Sequence, residues 1–137
     1  MGNVMIKQGL CGHVMFWEGD FMPMIDGRSG RPLDSRKPTG VVRPVLIYEL
    51  TSSHHVDRVG YGGFYREIRT KRVAETWSDT LGFFQVELPV GRYSVFVQED
   101  SLYYANRFDG YDRILPITVK KDSVSKLQFD ITYKASF

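Results

Sequence analysis

The sequence predicts an all-β chain, folded as a two-sheet antiparallel Greek-key sandwich of seven or eight strands. Three observations carry that prediction. Helical periodicity is almost absent, and apolar residues instead alternate or cluster in runs of five to ten. Gly, Pro, Asp and Ser break those runs, and thirteen glycines with six prolines supply turns throughout. Many short strands with frequent turns and no helices between them suit two packed sheets rather than an α/β layer.

The first strand is expected over residues 9–17, with Leu10, Cys11, Val14, Met15 and Phe16 as its apolar content. A long polar loop follows over 18–40, carrying Pro23, Pro32 and Pro38. Residues 41–50 (VVRPVLIYEL) read as the second strand, with Pro44 at an edge, a bulge or the strand's start. A loop over 51–63 precedes short strands at 64–68 and 72–77. After the turn at 78–82, residues 83–88 alternate cleanly, and so do 92–98 beyond Pro89-Val90-Gly91. A loop rich in Tyr and Asp spans 100–113. Strands at 114–120 and 126–133 complete the set, the last with Leu127, Phe129, Ile131 and Tyr133 on one face. No internal repeat or linker divides the chain, so residues 1–137 are expected to form one domain.

Charge and cysteine content exclude several roles. Eighteen basic against sixteen acidic residues leave a formal +2, too weak for a nucleic-acid or anionic-membrane partner. The single cysteine, Cys11, rules out an internal disulfide and a cysteine-based zinc site, and reads as a buried thiol. No run approaches the ~20 apolar residues of a membrane-spanning helix. Residues 1–10 show no basic segment followed by an apolar stretch, so no signal peptide is expected among them.

Leu88-Pro89-Val90-Gly91-Arg92-Tyr93 is the most informative segment. Pro and Gly build the turn, and Tyr93 is placed as a tyrosine corner whose hydroxyl should reach back to Leu88 or Pro89. With its neighbours Asp79, Gly82, Phe84, Val86 and Val95, this segment resembles the carboxypeptidase regulatory-like domain, a transthyretin-like (prealbumin-like) β-sandwich. Gly12-x-Val14, Glu18-Gly19, Met22-Pro23, Ala105-Asn106-x-Phe108-Asp109-Gly110 and the closing Ile131-Thr132-Tyr133-Lys134-Ala135 extend the likeness to small Bacteroidota envelope proteins of this kind. The resemblance implies a non-catalytic exported module at the periplasm or cell surface, often a lipoprotein, without cofactors. Gln8-Gly9-Leu10 before Cys11 is no lipobox, so any lipid anchor would have to come from outside these residues.

The 100–113 loop is the leading candidate site. Tyr103, Tyr104, Asn106, Phe108 and Asp109 combine aromatic faces with an amide and a carboxylate, the groups an oligosaccharide or peptide site uses. The plainer reading has the rings closing the core and Asn106 and Asp109 capping turns, which would leave a structural spacer. Asp100, Asp109 and Asp112 are calcium-type ligands at a spacing that matches no calcium loop. Arg28, Arg31, Arg36, Lys37 and Arg43 outnumber Asp26 and Asp34 by three, suiting an acidic partner or a solvated loop. His54 and His55 are adjacent, and adjacent side chains seldom share a metal. Trp17 and Trp77 are either ligand platforms or packing at strand ends. His13-Val14 and Gly30-Arg31-Pro32-Leu33 echo transthyretin-like hydroxyisourate hydrolases. The ending Tyr133-Lys134-Ala135-Ser136-Phe137 departs from that family, and no late second histidine is present to share proton transfer. No catalytic residue and no metal site is expected, and the sequence does not specify oligomeric state.

Overall fold

The computed structural model describes residues 3–20 and 37–136. The expected 18–40 loop, most of the 28–43 basic stretch and Phe137 therefore lie largely or wholly outside the described residues.

The alternating runs become the long strands: β1 (Gly9–Asp20), β3 (Pro44–Glu49), β5 (Phe64–Ile68), β6 (Arg72–Trp77), β7 (Phe83–Glu87), β8 (Gly91–Glu99) and β11 (Val124–Ser136). Four shorter ones complete the fold: β2 (Thr39–Gly40), β4 (Val56–Val59), β9 (Leu102–Tyr104) and β10 (Pro116–Val119). Among the described residues the count is thus eleven rather than seven or eight. The segments read as loops at 51–63 and 100–113 each hide a strand of three or four residues.

The all-β, two-sheet sandwich is as the sequence predicts. In one sheet β11 lies along one edge of β1, and β2 and β7 follow each other along the opposite edge. The other sheet runs β4-β5-β9-β8-β3-β6, with β10 beside the start of β8. One pairing departs from the antiparallel expectation: β1 and β11 are parallel, from Gly9 opposite Val124 to Asp20 opposite Ser136. A period of two tells which face a residue takes, but nothing of the partner strand's direction.

Leu10 and Val14 of β1, Phe84 of β7, and Phe129 and Ile131 of β11 form one wall of the core. Val45, Ile47, Val95, Val97 and Tyr104 form the other, sharing a face through the register of β3, β8 and β9. The central strands β3 and β8 are buried on both faces, which explains their continuous apolar runs. On the far face Tyr48 and Tyr65 pack edge-on against Phe96, at 5.5 and 5.8 Å between ring centres. Pro44 is the first residue of β3, where a missing N–H does least harm in a strand flanked on both sides. The tyrosine corner is present: the Tyr93 hydroxyl donates to the Pro89 carbonyl at 2.7 Å and pins the β7–β8 turn.

Candidate functional site

The β4–β5 hairpin forms one edge of the larger sheet, and its turn at 60–63 meets the chain as it leaves β9. The Ala105 amide donates to the Gly63 carbonyl at 3.0 Å. Gly63 has φ +90°, and a Cβ there would stand 3.0 Å from the Ala105 carbonyl oxygen, so the approach requires glycine. From the other sheet comes β11. Between Phe16 opposite Ile131 and Glu18 opposite Lys134 the register slips, setting Thr132 and Tyr133 against a single β1 residue. Such a bulge re-aims side chains at a sheet's rim. These three segments enclose a cleft of about 430 Å³, within the range of small-molecule sites.

The cleft gathers Tyr104, Asn106 and Phe108 from the 100–113 loop with Arg58, Tyr65 and Tyr133 from elsewhere. Tyr104 is a buried wall: its ring packs on Phe64, Phe129 and Tyr133, and its hydroxyl accepts the Thr132 amide at 3.1 Å. The Asn106 side-chain amide donates to Thr132 Oγ1 at 2.6 Å. Phe108 is exposed at the rim, with the Arg58 guanidinium 5.4 Å from its ring centre. Tyr61, at the hairpin tip, is 97% exposed.

Tyr103 and Asp109 do not line this cleft. As strand neighbours, Tyr103 and Tyr104 face opposite sides of the sheet, and Tyr103 packs edge-on against Tyr48. Asp109 is occupied within its own turn. Oδ1 accepts the Tyr111 and Arg113 amides at 2.9 Å each, and Oδ2 accepts Arg113 Nε at 2.7 Å. Desolvation pushes that carboxyl up, but the two amides and the Arg113 guanidinium outweigh it and hold the group below its ordinary range.

Arg58, Tyr61, Tyr65, Thr132 and Tyr133 were not singled out as site residues from the sequence. The one available signal was Gly60-Tyr61-Gly62-Gly63, a glycine-rich tip carrying a tyrosine between two strands.

Two tyrosines of the cleft have unusual hydroxyls. Tyr65 is fully buried, and its hydroxyl oxygen makes no hydrogen bond of regular geometry among the described residues. Burial pushes its phenol up; the charge of Arg58 and a side-chain hydrogen bond from it pull it down, and Asp112 adds to the rise. The Tyr133 hydroxyl, by contrast, donates to Glu99 Oε2 at 2.6 Å, and Glu99 is ion-paired with Arg43. Burial, reinforced by the Glu99 bond, pushes Tyr133 up to about 12. The protonated phenol thus belongs to the fold, whereas an unfolded tyrosine ionises near 10. The stability it contributes should be complete below about pH 10 and be lost as pH rises towards 12. Thermal melts should show Tyr133→Phe destabilising at pH 8, with the gap from wild type closing above pH 10. A gap that stays constant to pH 11.5 would show that Tyr133 acts by packing alone.

Other candidate residues are spoken for or lack partners for chemistry. His13 packs edge-on against Phe83 at 5.5 Å in a separate hollow of about 370 Å³ that also meets Cys11 and Lys126. No second histidine or carboxylate lines that hollow among the described residues. His55 Nδ1 lies 3.2 Å from Ser52 Oγ, but the same nitrogen accepts the Ser52 amide at 3.0 Å, so the pair is a turn cap. Among the described residues no three His, Cys, Asp or Glu side chains stand together to hold a metal ion, and Asp100, Asp109 and Asp112 are no exception. Trp17 donates its indole N–H to Asp130 at 2.9 Å, and Trp77 is exposed at the end of edge strand β6. Among the described residues no helix is long and apolar enough to cross a membrane. No family model, curated protein or solved structure matches the chain.

Proposed function

We propose that this chain is a non-catalytic carbohydrate-binding module, of the carboxypeptidase regulatory-like, transthyretin-like kind, exported to the cell envelope. The family and its location rest on the Leu88–Tyr93 segment and its tyrosine corner. Binding rests on one observation above all: segments from both sheets enclose a cleft of about 430 Å³, on the scale of a small-molecule site, with exposed rings and polar side chains on its walls. Sugars suit those walls. Their C–H faces stack on rings such as Tyr61, Phe108 and Tyr133, and their hydroxyls both donate and accept, matching Asn106 and Thr132.

Arrays of soluble oligosaccharides and of peptides, probed with wild type and Phe108→Ala, test this reading. Wild type should bind saccharides. Phe108→Ala should bind at least tenfold more weakly while melting close to wild type, since Phe108 is exposed at the cleft's rim. Failure to bind any saccharide, binding to peptides alone, or saccharide binding untouched by Phe108→Ala would each overturn it.

A further inference from the structure

Among the described residues Arg58, Arg92 and Arg107 have no carboxylate partner, and of these only Arg58 lines the cleft. Arg43, Arg66, Arg69, Arg72 and Arg113 each pair with a carboxylate. Arg58 has none among the described residues, although it is exposed and therefore free to reach one. Its nearest acidic sequence neighbour, Asp57, is taken by Arg66 at 3.0 Å. Asp112, the other carboxylate near this corner, accepts the Ser53 hydroxyl and does not line the cleft. Among the residues that do line it, Arg58 is the only charged side chain. The guanidinium is also held in place: it lies over the Phe108 ring at 5.4 Å, an arrangement that restrains the plane and leaves its edge N–H donors available.

A cleft whose one charged side chain is a guanidinium set over a ring, with no carboxylate partner among the described residues, suits an anionic oxygen, and a planar fork of donors matches a carboxylate in particular. Resting on the carbohydrate reading, we infer that the ligand is an acidic saccharide, a sugar bearing a carboxylate, which Arg58 receives.

The test compares uronate oligosaccharides with their methyl esters, which keep the ring and hydroxyls and lose only the charge. Titration calorimetry on the full chain should show the acid binding at least tenfold tighter than the ester, with the difference shrinking as salt is raised. Arg58→Gln should abolish the preference, bringing acid and ester to within about twofold of each other. Equal affinity for acid and ester in wild type would overturn the inference while leaving the carbohydrate reading intact. An acid preference that survives Arg58→Gln would also overturn it, by placing the carboxylate elsewhere. Absence of binding to every acid and neutral sugar would remove both readings together.

Discussion

Gly12→Ala is expected to destroy the fold or cost at least about 4 kcal/mol, the range reached only by a specific steric or packing failure. Gly12 lies in β1 with Phe84 of β7 opposite on one side and Leu127 of β11 on the other. A Cβ there would come 1.8 Å from the Leu127 carbonyl oxygen and 2.8 Å from its carbon. Both are backbone atoms of a paired strand, so no side-chain rotation relieves the clash. The only escape is to part β1 from β11, the pair that joins the two ends of the chain. Gly110→Ala is the control, because nothing lies within 4 Å of the Cβ it would carry. Circular dichroism melts should find Gly110→Ala within a few degrees of wild type and Gly12→Ala unfolded or lower by well over ten degrees. A Gly12→Ala protein that melts like wild type would mean that β1 does not run beside Leu127 as described.

That pairing also marks a limit of sequence reading. The apolar patterning in FFQVEL and RYSVFVQ made β7 and β8 visible as strands, although β8 proves to be buried on both faces. The parallel alignment of β1 with β11 depends on two segments more than a hundred residues apart, and local pattern holds no record of it. Short strands fail for a different reason. Leu102-Tyr103-Tyr104 is too brief to show a period, and its flanking Asp and Asn residues read as a loop. The candidate site divides along the same line. Asn106 and Phe108 were legible as chemistry on a loop, but the residues that complete the cleft come from β4, β5 and β11. Tyr133 read as one more residue on the core face of β11; the bulge beside it brings it to the rim. Even the pairing of Tyr103 with Tyr104 as joint binders fails once the segment is a strand, since neighbours in a strand point apart.

Tyr104→Ala is expected to cost about 3–5 kcal/mol, the usual range for removing a large buried aromatic side chain. Tyr104 is 1% exposed, its ring centre lies 5.0 Å from that of Phe64 and 5.5 Å from that of Tyr133, and both sheets contribute to its surroundings. Truncation would leave a cavity between the sheets and would strip the Thr132 amide of its acceptor. For a chain of this size the melting temperature should fall by about 10–20 °C. Tyr104→Phe should lose only the hydroxyl's bonds, about 1–2 kcal/mol. Phe108→Ala, at a residue 42% exposed, should cost less than about 1 kcal/mol. The contrast decides how binding data from this segment are to be read. Weaker saccharide binding in Tyr104→Ala would report a collapsed cleft wall, whereas the same loss in Phe108→Ala, with the melt unchanged, would report a lost contact. If the two variants instead melted alike, Tyr104 would not be the keystone between the sheets, and the cleft could not have the rigid floor that its walls require.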